Sequence, residues 1–351
     1  MNPLLLGFGC ILVAAVSGGF FGLQYRVMRK YTVENSSLLS LLFATIVVPL
    51  AVAWLIVPGW TRAIVEVGWQ TNLLVFVFGF GWGMGAITYA YGFNILGIAL
   101  AASLLKGISV AVGSGVPLVR HWNDAPADAR TVTILGLVLL LAGTALAGKA
   151  GTLREQETRT SAGDKPHHRP RNTVTVHKPT GLLFLIGLAS CLVSGLLSAC
   201  ANLGYEFADP LEKAMGSDLA WRATLVRWMP MYWGGITALV VFMGGAMLKS
   251  GAWRNYVAPA SGRDFLVSSS MGVVHFLAQI PYGIGAFYLG TLGTTVGWGM
   301  NLGMALVVAV SIGFVQGEWT GVSGASRRVL VAGIVVLLVA MGVLAYANSL
   351  A

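Results

Sequence analysis

The sequence predicts an all-α membrane protein of ten transmembrane helices arranged as a 5+5 inverted repeat. Three observations carry that prediction. Of the 351 residues, 56% are hydrophobic and only 10% are charged, where a soluble domain carries about 25% charged residues. Apolar runs of about 20 residues, enough to cross a ~30 Å hydrocarbon core, recur ten times. The stretches on either side of one long polar segment also resemble each other.

The runs lie at 4–24, 37–57, 73–93, 95–118, 131–149, 181–204, 224–248, 265–288, 291–315 and 328–348. The first, MNPLLLGFGCILVAAVSGG, has no Lys or Arg ahead of its apolar stretch, as a cleaved signal peptide needs, and reads as an uncleaved span. The third and fourth runs, like the eighth and ninth, are joined by almost no loop and predict tight antiparallel hairpins. Cys10, Cys191 and Cys200 all fall inside apolar runs, at spacings that suggest neither a disulfide framework nor a metal site. The stretch 150–180, with LREQETRTSAGDKPHHRPRN, is charged, lacks apolar periodicity and is expected to be a disordered or loosely ordered linker. Its His167 and His168 have no further metal ligands at useful spacing. The chain thus divides into a first five-helix repeat over 1–150, a cytoplasmic polar linker over 151–180 and a second five-helix repeat over 181–351.

The repeat shows when FGFGWGMGAITYAYGFNILG (78–97) is set over MGVVHFLAQIPYGIGAFYLG (271–290) without gaps. Gly79 and Gly272, Ile87 and Ile280, Tyr89 and Tyr282, Gly92 and Gly285, Leu96 and Leu289, and Gly97 and Gly290 then coincide. VSGGFFGLQY (16–25) likewise sits over VSGLLSACANLGY (193–205). Five helices per half is odd, so the halves cross the membrane in opposite senses, as in transporters.

Of the 22 Lys and Arg, 15 fall in loops after odd-numbered helices and six in loops after even-numbered ones. That bias places the linker in the cytoplasm and both termini outside. The net charge of +9 is therefore a topology signal rather than a nucleic-acid face. No cofactor, metal or obligate protein partner is implied. The expected contacts are lipid and a small solute.

The remaining cation is Lys106, inside ALAASLLKGISVAVG (99–113). A charge at mid-bilayer costs about 2.5–3.5 kcal/mol on insertion scales, and Lys106 lies too far from either helix end to snorkel. It needs water in a cavity, a cross-helix partner such as Glu206, or the loss of its proton. Other intramembrane polar residues fall in stripes: His275, Gln279 and Tyr282 on the eighth helix, Trp82 and Tyr89 on the third, and Thr294, Trp298 and Asn301 on the ninth. Asn202 and Glu206 end the sixth helix, and Gln24 and Tyr25 the first.

Aromatic faces beside amides and hydroxyls, with few charges, suit a neutral hydroxylated solute. Trp82, Tyr89, Gln279, Tyr282, Trp298 and Asn301 are the expected substrate-binding set. Lys106, His275 and Glu206 are the expected groups for proton coupling or a buried charge pair, since His titrates nearest physiological pH. Each has a structural counterpart reading. Tyr25 and Tyr205 suit interface anchors, and Asn202 and Asn301 suit interhelical hydrogen bonds. Glu206 suits the headgroup layer, and His275 a packed core position.

These motifs resemble the drug/metabolite transporter superfamily and, within it, the L-rhamnose–proton symporter family. The resemblance is clearest at FGFGWGMGAITYAYGFNILGIALA, at SGLLSACANLGYEFADP, at Tyr282-Gly-Ile-Gly, and at Glu318-Trp319 followed by Arg327-Arg328. Gly107 and Ser109, and the stretch from Ser198-Ala199 to Pro210, match further family patterns. The resemblance implies proton-driven uptake of a neutral deoxy-hexose such as L-rhamnose across the bacterial inner membrane, by alternating access around a mid-membrane site. Departures fall at Lys106, where the family has an aliphatic residue, at Glu206, where it has an amide, and at Gln279, one position from its glutamine. An exporter or exchanger of an anionic metabolite, with Lys106 as counter-charge, is the alternative within transport. A serine hydrolase using Ser114 and His275 is disfavoured by the repeat and by the different depths of the two residues.

Overall fold

Within a bilayer each backbone amide and carbonyl must be satisfied inside its own segment, so apolar runs become helices. The computed structural model describes residues 2–19, 27–96, 98–161 and 181–351, with the backbone alone at 89–91, 93, 94, 98, 159–161 and 217. Gln24, Tyr25, Gly97, His167, His168 and the side chain of Tyr89 lie outside the described residues.

All regular structure among the described residues is helical. The longer helices are α1 (Pro3–Gly19), α2 (Val33–Ile56), α3 (Gly68–Leu96), α4 (Ile98–Arg120), α5 (Ala127–Ser161), α6 (Leu182–Phe207), α7 (228–250), α8 (Gly262–Leu289), α9 (Gly293–Val315) and α10 (Gly324–Ser349). Short helical pieces occupy Trp60–Glu66, Asp209–Ala214, Ser217–Arg227 and Ala252–Val257. Among the described residues, eight segments are long and apolar enough to cross a membrane; one of them, Gly262–Val315, is α8 and α9 together, and α1 is a shorter apolar helix of 17 residues. The α8–α9 hairpin turns at Gly290, whose φ of 68° and ψ of −136° suit only glycine.

α2 and α7 each widen into one π turn, at Phe43–Val47 and Val240–Gly244. α1 packs on α8 and α9, and α6 on α3 and α4; α3 packs on α7, and α8 on α2. α4 lies against α5, α9 against α10, α4 against α9, and α5 against α10. Glycines permit the closest approaches. Gly79 abuts the Met231 carbonyl of α7, and Gly272 the Ser40 carbonyl of α2. Gly92 meets Cys191 and Gly187 of α6, while Gly285 meets Ile11 and Gly7 of α1.

The chain order puts the end of α5 and the start of α6 on one face, here termed the linker face. The ends of α4 and α6 lie on the opposite face. At the linker face the Asp264 carboxylate accepts backbone N–H bonds from Arg29, Lys30 and Tyr31, the last two at 2.6 and 2.9 Å. Asn35 bonds the Ala252 carbonyl at 3.0 Å, joining α2 to the α7–α8 connection. A second cluster joins α5 to α4 and to the α9–α10 connection, and it corrects the expected linker. The stretch from 151 to 161 is helix, because its polar residues have tertiary partners that no apolar period announces. Arg154 pairs with Glu318 at 2.8 Å, Glu155 accepts the Ala99 N–H at 3.1 Å, and Glu157 accepts both Ser323 Oγ and Ser326 Oγ at 2.6 Å.

Candidate functional site

The last turns of α6 organise the interior. Asn202 and Glu206 are one turn apart on a helix whose apolar remainder faces lipid or neighbours, so both side chains find polar partners across helix contacts. Asn202 Nδ2 donates to the Gly113 carbonyl of α4 at 2.7 Å and to the Thr294 carbonyl of α9 at 3.1 Å. Its Oδ1 accepts the Tyr282 hydroxyl of α8. Asn202 is fully buried, and three satisfied bonds offset the penalty of burying an amide.

Around it stands a dense aromatic layer. Tyr282 meets Tyr205, Trp228 and Trp298 with ring centres 5.6, 5.9 and 5.9 Å apart, and Trp228 stacks on Tyr232 at 5.3 Å. Trp298 Nε1 donates to the Ser109 carbonyl at 3.1 Å, fixing α9 to α4.

Toward the opposite face this layer is sealed by charge. Thr294 Oγ1 donates to Glu206 Oε2 at 2.7 Å, while Arg120 reaches Glu206 Oε1 at 2.9 Å and Asp209 Oδ1 at 2.9 Å. His121 Nε2 lies 2.8 Å from the same Glu206 Oε1, and its Nδ1 3.0 Å from Asp124. Glu206 is 3% exposed. Arg227 completes the ring, paired with Glu212 at 2.6 Å and lying over Tyr205.

Toward the linker face the side chains loosen. Trp82 and His275 lie nearly parallel with ring centres 6.4 Å apart, and Trp82 also faces Tyr232 at 6.1 Å. Trp82, Lys106, His275, Gln279 and Asn301 are all half-buried, whereas Tyr282 and Trp298 are buried. Lys106 lies one turn before Ser109 on the α4 face that meets Trp298; Asn301 lies one turn past Trp298 on antiparallel α9. They therefore share a depth.

Of the options open to Lys106, a pairing with Glu206 is excluded. Glu206 sits at the level of Arg120, fourteen residues along α4 from Lys106, or about 21 Å at 1.5 Å per residue. Arg120, on the same helix, takes the carboxylate instead. Arg120 and His121, with Trp228 and Tyr232, are the site residues that sequence reasoning missed. A basic pair closing a helix is indistinguishable there from a topology charge. Cavities of about 490 Å³, lined by Thr32, Glu34, Ser250 and Asn255 among others, and about 360 Å³, between α1, α9 and α10, contain none of the expected site residues.

The family model described as L-rhamnose-proton symport protein (RhaT) matches residues 1–249. The chain belongs to this family. Similar curated proteins named L-rhamnose-proton symporter come from Pectobacterium atrosepticum and Escherichia coli strain 55989. Each is 22% identical over 363 residues, covering 97% of this chain and 97% of the relative. As a member of the RhaT family the protein is a transporter rather than an enzyme. Ser114 is buried beside Gly299 of α9, and His275 lies against Trp82.

Proposed function

We infer that this chain is an inner-membrane symporter that takes up L-rhamnose with protons, built as a five-plus-five inverted repeat of the drug/metabolite transporter type. The observation that carries the transport mechanism is the gradient in closure along the interior. A buried ionic seal lies at one face, an aromatic and amide layer beneath it, and half-exposed polar side chains beneath that. Such a profile fits alternating access caught open toward the linker face. With the linker in the cytoplasm and both termini outside, as the Lys and Arg bias favours, it is an inward-facing carrier.

Support for the repeat comes from packing. Moving five helices along the chain, with α1 following α10, carries packed pairs onto packed pairs: α3–α6 onto α8–α1, α3–α7 onto α8–α2, α4–α6 onto α9–α1, and α4–α5 onto α9–α10. The aligned glycines obey the same rule, since Gly79 and Gly272 meet α7 and α2, and Gly92 and Gly285 meet α6 and α1. The π turns also fall on the equivalent helices α2 and α7.

In this reading Trp82 and Tyr282 offer aromatic surface to the apolar face of the sugar, with Trp298 beside Tyr282 and Tyr89 as a further aromatic candidate. Gln279 and Asn301 offer hydrogen-bonding groups to its hydroxyls. Lys106, His275 and Glu206 are the groups available to handle the proton. Lys106 shares its depth with Asn301, next to the sugar rather than at the seal.

Uptake of labelled L-rhamnose into proteoliposomes, with and without an inward proton gradient, tests the function in wild type and Lys106→Met. The expected result is gradient-driven accumulation by the wild type and its loss in the mutant. Full pH-driven uptake by Lys106→Met removes that lysine from coupling. No rhamnose uptake by the wild type overturns the substrate and directs the next screen to sugar acids.

A further inference from the structure

The seal at the opposite face does not look like a passive plug. Its centre is one carboxylate, Glu206, whose two oxygens face different ways. Oε1 meets Arg120 and His121, whose side chains are 30% and 27% exposed toward that face, and Oε2 meets the buried Thr294 hydroxyl. The ion-paired groups around it are three fixed cations, Arg120, Lys213 and Arg227, and four carboxylates, Glu206, Asp209, Glu212 and Asp124. Tyr205 and Tyr282 are the nearby phenols, on α6 and α8. The fixed charges thus leave one negative charge over, and His121 bridges two of the carboxylates.

The inward side of Glu206 is wired to the proposed sugar layer. Thr294, which holds Oε2, receives Asn202 on its carbonyl, and Asn202 receives the Tyr282 hydroxyl. Any shift of Tyr282 on a bound sugar is transmitted through two hydrogen bonds to the segment that holds the carboxylate.

We propose that Glu206 is the coupling carboxylate of this transporter, occupied in turn by a proton and by Arg120, so that the opposite face closes only as the proton leaves. A proton from the outer solution, passed by His121, adds to Glu206 Oε1 and breaks its ion pair with Arg120, which keeps Asp209. The seal opens and the sugar enters. When the seal re-forms, the Arg120 guanidinium returns to Oε1 and the proton departs toward the linker face. A proton and a guanidinium compete for one oxygen, and that competition is the coupling. The inference rests on the proton-coupled uptake inferred above, and the test separates the two.

The full chain in proteoliposomes is measured three ways. Rhamnose accumulation is read under an inward proton gradient, and rhamnose counterflow at equal pH. Amide hydrogen exchange of 113–125 and 202–214 is followed without sugar at about pH 5.5 and about pH 7.5, corrected for intrinsic rates. Glu206→Gln, a neutral carboxyl mimic that cannot re-form the Arg120 pair and so cannot close the opposite face, is expected to lose at least about tenfold in both accumulation and counterflow, a loss within the range of a typical coupling energy. Its outer segments are expected to exchange fast at both pH values, where wild type exchanges fast only at the lower.

Arg120→Gln is expected to behave likewise and decides the matter if Glu206→Gln does not fold; Arg120→Lys restores part of the pH response. Wild-type accumulation by Glu206→Gln, or by Arg120→Gln in its place, overturns the proposal, as does pH-independent exchange in the wild type. Should the wild type move no rhamnose yet show pH-dependent exchange that Glu206→Gln abolishes, the substrate reading falls and the coupling carboxylate stands.

Discussion

Asn202 shows what a single residue does here. It ties α6 to α4, α9 and α8 through three hydrogen bonds in a fully buried position. Asn202→Leu leaves the Tyr282 hydroxyl and the Gly113 carbonyl short of a partner, at about 1–3 kcal/mol for each group left unsatisfied. The expected outcome is a lower melting temperature in detergent together with a weakened rhamnose affinity, read by thermal unfolding with and without sugar. Sequence spacing identified Asn202, Glu206, Tyr282 and Trp298 as interior, because polar residues repeating at helical intervals inside apolar runs must face other helices. It left Glu206 open as one partner for Lys106, because a helix-face pattern contains no information about depth on a different helix. Arg120 was invisible for the same reason.

At the scale of helices, close backbone contact decides which substitutions survive. A Cβ at Gly79 would overlap the Met231 carbonyl, and one at Gly272 the Ser40 carbonyl. Gly79→Leu and Gly272→Leu are each expected to destabilise by about 3 kcal/mol or more and to reduce the monodisperse yield by size-exclusion chromatography. Gly342→Leu, at a glycine with open space around it, is expected to leave the yield unchanged. The helices themselves were legible to within a few residues at most ends, since membrane thickness sets their length. The extension of α5 to Ser161 was not, nor was the Ser217–Arg227 segment before α7. Both are polar stretches held by tertiary partners rather than by an apolar period.

At the scale of the molecule, the polar clusters at the linker face each stay within one group of helices. One joins α2 and α8, and the other joins α4, α5 and the α9–α10 connection. The ionic seal at the opposite face instead joins α4, α6 and α9. On the reading proposed above, that asymmetry holds the opposite face closed. The topology is checked by cysteine labelling in intact cells. Ser349→Cys is expected to react with a membrane-impermeant maleimide, and Thr158→Cys only after permeabilisation. Labelling in the reverse pattern inverts the transporter in the membrane and assigns the ionic seal to the cytoplasmic side.

By itself the sequence determined that this is a helical membrane protein and pointed to a transporter, because hydropathy, helix length and glycine spacing are local properties of the chain. It also marked the residues too polar to face lipid. Only the tertiary structure decided which of them meet: that Arg120 rather than Lys106 holds Glu206, that Thr294 and Asn202 connect that carboxylate to Tyr282, and that Trp298 bonds the Ser109 carbonyl one turn from Lys106. Those choices depend on the register of one helix against another. Register is set by glycine contacts and side-chain packing summed over the whole bundle, which no stretch of sequence carries alone.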